Sequence, residues 1–215
     1  MEWLELQLAD SAFPSGGFVH SQGVEAALQL GVVPSVEMLF AQLLWQVGFG
    51  SLPFVRAGAI AEVPLFVVCR EADAFLTNAV QNRASRTQGR GLLRVAREAF
   101  GERTEVASLL ETAESTNMHY APIFGALVRS LKMTPRDGAR IFLHGAARNF
   151  LSAAVRLGMV GPLEAQRILA SGGGQMTHVF TTCADLRIDD AVQTAPVLDL
   201  AAALHDRLYT RLFQS

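Results

Sequence analysis

Cysteine is scarce in this sequence. Its 215 residues include only Cys69 and Cys183, and neither lies in a Cys-x-x-Cys pair or in a cluster with histidine. This pattern excludes zinc ribbons and disulfide-rich frameworks. Both cysteines stand among apolar residues, which favours two buried, reduced thiols in a reducing compartment over a disulfide between them. Residues 1–10 contain acids and no basic n-region, so they do not form a signal peptide, and we expect a cytoplasmic protein.

Charge is also in short supply. Charged residues make up 18% of the chain and hydrophobic residues 50%, whereas soluble domains carry roughly 25% charged residues. The formal net charge of -2 gives no general attraction to nucleic acid or to an anionic membrane. We therefore expect some of the apolar surface to meet partner proteins.

Motifs of known catalytic sites are missing. The sequence has no GxxxxGKS, no GxGxxG after a strand, no GxSxG and no HExxH. His20 and Ser21 are adjacent in sequence, which is a poor geometry for a nucleophile and its base. The histidines are scattered singly and form no i, i+4 pair. These observations predict no catalytic residue and no metal site.

Sustained alternation of apolar and polar residues is almost absent, while helical spacing recurs throughout. We predict an all-α fold, a single-domain helical bundle of about ten helices spanning residues 1–215. The uncharged run 38–55 contains Gly48, Gly50 and Pro53, so it predicts a buried corner and no membrane span. The predicted helices cover residues 3–9, 21–30, 36–47, 52–61, 65–78, 79–100, 106–115, 121–131, 135–157, 163–170, 176–186 and 197–209.

Several helix ends carry local signals. Thr134, Pro135 and Asp137 predict the start of a long helix, which we expect to be central because small residues along it allow close packing. Gly31 and Gly158 suit positions just after a helix. The run of three glycines, 172–174, predicts a break or a flexible corner.

Residues 10–27 are the most informative segment. Pro14 and the glycines after it predict a rigid turn between two helical patterns, and Ser21 is a good candidate N-cap for the second helix. The same segment resembles the N-terminal signature of the urease accessory protein UreF family, which reads as a small-residue turn with an aromatic, then His-Ser or Tyr-Ser, then Gly-hydrophobic-Glu. The matching residues are Gly16, Gly17, Phe18, His20, Ser21, Gly23, Val24 and Glu25.

Three further segments resemble the same family in order and spacing. They are QGRGLLRVA at 88–96, HYAPIFGALVRSL at 119–131 with the helix that follows it up to Gly158, and HDRLYTRLFQS at 205–215. Arg211, Leu212, Phe213 and Ser215 match the family's C-terminal Arg-Leu-Phe-x-Ser. Phe18 stands where the family often has tyrosine.

The resemblance implies a non-enzymatic scaffold for urease maturation. It implies a homodimer that bridges UreD (also called UreH) and the GTPase UreG and regulates nickel delivery into the urease apoprotein. It also implies that the complex handles nickel and GTP, with no cofactor bound by this chain. Neither nucleic acid nor a membrane is an expected partner.

One helical face of the segment 79–100 carries five arginines. Three interpretations are open: a solvated face paired with carboxylates such as Glu98 and Glu102, a protein-docking face, or a phosphate-binding face. The arginines are Arg83, Arg86, Arg90, Arg94 and Arg97.

The C-terminal residues 205–215 form the other candidate surface. They follow a helical pattern with apolar and aromatic residues, and we expect them to become ordered when a partner binds and to be removable from 209 onward without loss of the fold. Leu208 packing on its own core is an equally open alternative. The predicted partner-interface residues are Phe18, His20, Ser21, Glu25, Arg86, Arg90, Tyr209, Arg211, Leu212, Phe213 and Ser215.

Two other classes of function remain open from the residues alone. A nucleic-acid-binding helical adaptor would need the arginine face to be exposed and unpaired. A small helical hydrolase or lyase would need a water-excluding pocket with a perturbed acid or base.

Overall fold

The computed structural model describes residues 3–13, 20–32 and 35–214, and these residues form helices without any strand. The prediction of an all-α fold is confirmed. The α-helices are α1 (Trp3–Ala9), α2 (Val24–Gln29), α3 (Val36–Gly50), α4 (Leu52–Ile60), α5 (Leu65–Phe75), α6 (Ala79–Phe100), α7 (Thr104–Ala113), α8 (Tyr120–Ser130), α9 (Pro135–Arg156), α10 (Pro162–Ser171), α11 (Gly173–Cys183) and α12 (Pro196–Ala203), with 3₁₀ turns at Ile188–Asp190 and His205–Arg207.

Helix α9 lies at the centre of the fold, as predicted. It starts at Pro135 because Thr134 caps it: the Thr134 hydroxyl accepts a hydrogen bond from the Asp137 backbone N–H at 3.1 Å. The helix packs against α1, α2, α3, α4, α8, α10 and α11. Its buried side chains, such as Phe150 and Leu143, belong to the main hydrophobic core of the described residues.

Helices α4 and α8 cross in close contact. A Cβ on Gly58 would overlap the Pro122 carbonyl oxygen, and a Cβ on Gly125 would overlap the Val55 carbonyl oxygen. Two glycines therefore let the backbones of these helices touch. The small residue Gly145 of α9 has no such role, since nothing lies within 4 Å of the place its Cβ would take.

The uncharged run forms α3 and α4, which meet at Ser51, so the predicted corner is confirmed. The segment Val36–Ile60 is long and apolar enough to cross a bilayer, and 61% of its most apolar window is buried inside the protein. It is covered mainly by α8, α9 and α11. A core helix of a soluble protein shows the same combination of apolar sequence and burial.

Both cysteines are buried and unpaired, as predicted. Burial raises the pKa of the Cys183 thiol to about 11, and burial is also the main cause that raises the pKa of Cys69. Cys183 lies opposite Gly48, where α11 approaches α3 closely. These thiols fill the core and have no redox partner among the described residues.

Two of the predicted helix ends follow from glycine. Gly31 and Gly158 both have positive φ angles, 68° and 69°, and each ends a helix as predicted. The glycine run also makes a corner, but only Gly172 is outside a helix; Gly173 and Gly174 begin α11. A Cβ on Gly172 would lie 2.7 Å from the Phe40 ring, so this glycine lets the corner press onto the core.

Two predicted helices begin or end elsewhere. The helix predicted from Ser21 begins at Val24 and has Gly23 as its N-cap, because Gln22 and Gly23 have φ angles of 56° and 86° and turn the chain there. The helix predicted to reach 209 ends at Ala203. Leu208 is extended, with ψ 138°, and the residues after it run through bends and fold back over α2.

Candidate functional site

The C-terminal tail, defined here as residues 208–214, is seated on helix α2. Its anchor is Glu25, whose side chain is 2% exposed. One carboxylate oxygen accepts a hydrogen bond from the Leu212 backbone N–H at 2.5 Å, and the other accepts one from the Phe213 N–H at 3.1 Å. The tail therefore supplies polar partners to a carboxylate that has left water, as a buried charge requires.

His205 completes the surroundings of this carboxylate. It is fully buried in the 3₁₀ turn after α12, and its Nε2 lies 3.1 Å from the second Glu25 oxygen. Because a carboxylate only accepts hydrogen bonds, the Nε2–H of His205 is the donor. We call Glu25, His205 and the two tail amides the Glu25 clamp.

Contacts outside the clamp fix the tail along its length. The Phe213 ring is 5% exposed, and the Arg156 guanidinium lies 4.1 Å from its centroid. The Gln29 side-chain amide donates to the Thr210 carbonyl at 2.9 Å. Arg211 forms an ion pair with Asp206 at 3.6 Å.

The tail presents other side chains to solvent. Tyr209 is fully exposed and Leu212 is 60% exposed, although its neighbour Phe213 points inward. On α12, which packs against α2, Leu200 is 68% exposed, and Leu204, the first residue after this helix, is 36% exposed. Exposed apolar groups on a tail and helix that are otherwise fixed are typical of a protein-docking surface.

The predicted interface residues thus separate into two groups. Tyr209, Leu212 and Arg211 are on the surface, while His20, Ser21, Glu25 and Phe213 are buried. These four contact other parts of the same chain, and their role at a partner interface stays a prediction. Residues 208–214 pack on α2 in this structure, and their ordering by a partner likewise stays a prediction. Phe18 and Ser215 lie outside the described residues.

Burial has changed the titration of His20. Its side chain is 4% exposed, and this burial, with a smaller contribution from nearby His205, lowers the pKa of His20 to about 4. At neutral pH the imidazole is uncharged. His20 is therefore an uncharged side chain in the interior near His205. The imidazole that contacts the Glu25 carboxylate is that of His205.

The arginine face of α6 is largely paired. Arg83 contacts Asp206 at 2.9 Å, Arg86 contacts Asp73 at 3.1 Å, and Arg97 is 3.9 Å from Glu114. The partners differ from the predicted Glu98 and Glu102. Asp206 also pairs with Arg211, so it joins this face to the tail.

Two arginines of this face have no carboxylate partner among the described residues. Arg90 donates to the Thr87 hydroxyl at 3.3 Å, and Arg94 is exposed. The pairing of the other three does not match the exposed, unpaired stripe that nucleic-acid binding would need. Of the two α6 arginines in the predicted interface, Arg86 is half-buried and paired with Asp73, and Arg90 is exposed.

Sequence reasoning missed one polar cluster, formed by Asp73, Ser85 and His119. His119 is fully buried; its Nε2 lies 3.0 Å from Asp73 Oδ1, and its Nδ1 lies 3.1 Å from Ser85 Oγ. Hydrogen bonds from the side chains of Asn82 and His119 lower the pKa of Asp73, while burial, opposed by Asp73, lowers the pKa of His119. Sequence spacing offered no sign of it, since its members come from three separate helical segments.

The cluster has the composition of a hydrolase triad but serves packing. The Ser85 hydroxyl accepts the Tyr120 backbone N–H at 3.1 Å and so caps α8, which has no cap of its own. Gly89 allows this approach, since a Cβ there would overlap the Met118 carbonyl oxygen. The Tyr120 amide thus ties the Ser85 oxygen to the start of α8, which gives this hydroxyl a structural role.

No group of three or more histidine, cysteine or acidic side chains that could hold a metal ion occurs in the part of the chain that the structure describes. A cleft of about 220 Å³ runs between the helices and is lined by Gln46, Gly145 and Asn149 together with His20 and His119. These residues are mixed in character and present no set of metal ligands.

The described residues form an all-helical protein with an exposed apolar surface at the tail and α12. Sequence comparisons show the family to which it belongs. The profile of the UreF family matches residues 36–172. Urease accessory protein F of Oryza sativa subsp. indica is 34% identical over 219 residues, covering 98% of this chain and 84% of that protein.

Other relatives match over similar lengths. Urease accessory protein F of Arabidopsis thaliana is 33% identical over 225 residues, covering 100% of this chain and 93% of that protein. Urease accessory protein UreF of Trichodesmium erythraeum is 30% identical over 224 residues, covering 97% and 94%. The chain belongs to the UreF family of urease accessory proteins, which is not an enzyme family.

Proposed function

We propose that this chain is a non-enzymatic scaffold in urease maturation, which bridges UreD (UreH) and the GTPase UreG and so regulates nickel delivery into apo-urease. Membership of the UreF family supports a role in urease maturation. In the proposal the chain acts in the cytoplasm as a homodimer, while nickel and GTP are handled by the assembled complex.

The observation that carries this proposal is the exposed apolar surface at the C-terminal end. Tyr209, Leu212 and Leu200 are largely exposed although the backbone around them is fixed by buried contacts. Apolar groups held in place on a surface bind proteins at a lower entropic cost than the same groups on a free chain. We therefore assign the partner-docking role to Tyr209 and Leu212, with Arg211 beside them in the tail and Arg90 as a separate contact on α6.

Co-purification tests the proposal. The full chain is produced with UreD and UreG homologues from the same source, with and without GTP, and captured complexes are quantified. We expect the double variant Tyr209→Ala, Leu212→Ser to lose at least tenfold in partner capture and to keep its melting temperature, because both side chains are exposed.

The matched control is Trp3→Ala with Leu163→Ser, since Trp3 is 88% and Leu163 is 87% exposed on other helices. This control should capture both partners like the unmodified chain. Normal capture and normal urease activation by the Tyr209/Leu212 variant would remove the assignment of the docking surface. No capture by the unmodified chain would remove the scaffold proposal itself.

A further inference from the structure

The arginine face of α6 borders two hollows, which together we call the α6 groove. We infer that this groove binds an acidic segment of a partner protein, a short stretch in which carboxylates flank an apolar side chain. The inference rests on the proposed scaffold function, because the segment belongs to a protein of that complex. It adds the chemistry by which the α6 face recognises its partner.

The exposed arginines of α6 form one stripe along the helix. They are Arg83, Arg90, Arg94 and Arg97, and their spacing keeps them on one side of the helix. At 1.5 Å per residue the stripe is about 21 Å long. An extended peptide rises about 3.3 Å per residue, so roughly six residues would span the stripe.

The two hollows of the groove meet at Arg90. The first has a volume of about 660 Å³, lies between the end of α5 and the start of α6, and is lined by Arg83, Arg86 and Arg90 among others. The second has a volume of about 460 Å³, lies between α6 and α7, and is lined by Arg90, Arg94 and Arg97 among others. A ligand that lies along α6 therefore contacts both hollows and passes Arg90 at the centre.

The second hollow also has an apolar part. Leu93, Leu110 and Met118 line it together with the arginines, and the last two are only half-buried. Met118 has a φ angle of 52°, which is uncommon for a residue with a side chain, and its carbonyl oxygen lies against Gly89 of α6. The fold thus fixes an apolar site between guanidinium groups.

The guanidinium groups of the stripe are available to an incoming carboxylate. Arg90 and Arg94, at its centre, have no carboxylate partner among the described residues. At its ends, Arg83 and Arg97 form ion pairs of 2.9 and 3.9 Å with carboxylates that are themselves exposed. Because exposed ion pairs contribute little to stability, a partner's carboxylates can replace these contacts, and arginine binds carboxylates with two hydrogen bonds.

The lining favours a protein ligand over a nucleic acid. Glu98 and Glu114 lie beside the arginines of the second hollow and would repel a continuous row of phosphates. In the described part of the chain, neither hollow has an aromatic ring in its lining on which a base could stack. A peptide has its carboxylates at intervals and can place an apolar side chain between them, so it fits the alternation of charged and apolar residues.

An NMR titration of the full chain tests the groove. The probe is the peptide Glu-Glu-Glu-Leu-Glu-Glu with blocked ends, and the control probe has glutamine in place of every glutamate. We expect the acidic peptide to shift the backbone amide signals of Arg90, Arg94 and Met118 until they saturate. The glutamine peptide should bind at least tenfold more weakly, and high salt should weaken the acidic peptide by a similar factor.

Two double variants carry the same change of charge at different places. Arg90→Glu with Arg94→Glu reverses the centre of the stripe, whereas Arg70→Glu with Arg129→Glu reverses two exposed arginines on α5 and α8. The stripe variant should lose at least tenfold in binding of the acidic peptide and in capture of the UreD homologue, the UreG homologue or both. The control variant should keep both activities.

A charge swap separates recognition from damage to the fold. The peptide Lys-Lys-Lys-Leu-Lys-Lys should bind the stripe variant at least tenfold more tightly than it binds the unmodified chain, which a distorted groove would not produce. If the double variant fails to fold, Arg90→Gln repeats the titration and the capture assay, since this side chain is exposed.

The outcomes distinguish this inference from the proposed function. Equal binding of the glutamate and glutamine peptides would overturn recognition by charge. Tighter binding of a single-stranded dT oligonucleotide than of the acidic peptide, at the same arginines, would overturn the protein ligand in favour of a nucleic acid. Normal capture by the stripe variant would overturn the role of the groove in the complex and leave the scaffold function standing. Absence of capture by the unmodified chain would overturn the scaffold function, whereas the titration would still decide whether the groove binds an acidic segment.

Discussion

At the scale of single residues, burial converts His20 into a source of acid sensitivity. The pKa of His20 is about 4 in the folded protein, against 6.5 for the free side chain. Between these values the unfolded chain binds the proton and the folded chain does not. The contribution of His20 to stability is therefore complete above pH 6.5 and is lost as the pH falls toward 4, by about 3 kcal/mol in total.

We predict that His20→Gln flattens the fall in unfolding free energy between pH 6.5 and 4, measured by urea denaturation at each pH. The control is His178→Gln, since His178 is exposed. That variant should keep the acid sensitivity of the unmodified protein. Parallel pH profiles for His20→Gln and the unmodified chain would contradict the assignment.

The structural role of a residue was predictable from the sequence where it depends on neighbouring residues. It was not predictable where it depends on contacts with distant residues. The buried thiols and the glycines that end α2 and α9 needed only their own neighbours. The burial of Glu25 did not follow from its sequence. Its partner His205 lies 180 positions later, and in its own helix Glu25 is an ordinary first-turn acid.

At the scale of helices, glycine has opposite effects in two places. In the α4–α8 crossing, Gly58 and Gly125 meet backbone carbonyl oxygens, so an added methyl group would force the helices apart. At Gly145 of α9 the same methyl group meets no atom within 4 Å. Glycine there only weakens the helix.

We therefore predict that Gly125→Ala lowers the unfolding free energy by at least about 2 kcal/mol, and that Gly145→Ala raises it by about 0.5–1 kcal/mol. Denaturation curves followed by circular dichroism would measure both changes. Equal effects of the two substitutions would show that the α4–α8 approach is not tight. Gly58→Ala should repeat the result of Gly125→Ala.

Helix boundaries were predictable where a cap is written in the local sequence. Thr134, Pro135 and Asp137 fix the start of α9 in this way. The end of α12 was not predictable, because its apolar pattern continues to Tyr209 while the backbone leaves the helix after Ala203. The burial of His205 on Glu25 outweighs the helical periodicity of the residues that follow.

At the scale of the whole molecule, the tail belongs to the folded structure. Removing residues 209–215 would expose the site of Phe213 and take two hydrogen bonds from Glu25. The expectation that such a truncation leaves the fold untouched is therefore replaced by a predicted loss of about 3 kcal/mol in unfolding free energy.

Urea denaturation of the truncated and full-length chains would measure this loss. Tyr209→Ala is the matched control, because it alters the tail without touching a buried contact and should leave stability within about 0.5 kcal/mol. A truncated chain as stable as the full chain would show that the tail adds nothing to the folded state.

The segments of the candidate site were proposed from the sequence, but the contacts between them were not. The resemblance pointed to the segments around Glu25 and Arg211, and the helical spacing pointed to the arginine face of α6. Only the fold shows that Asp206 pairs with both Arg83 and Arg211 and so makes one continuous surface of two. Such pairing depends on the path of the chain between them.

Because synthesis starts at the N-terminus, the apolar segment Val36–Ile60 is exposed to solvent for a time during translation. It leaves the ribosome well before α8, α9 and α11, the helices that cover it. At ~5–20 residues per second, the wait from Ile60 to Arg156 lasts on the order of 5–20 s. During that interval the apolar segment of the nascent chain is uncovered, which makes it a binding site for chaperones and prone to aggregation. The yield of folded protein therefore depends on how quickly α9 is synthesised.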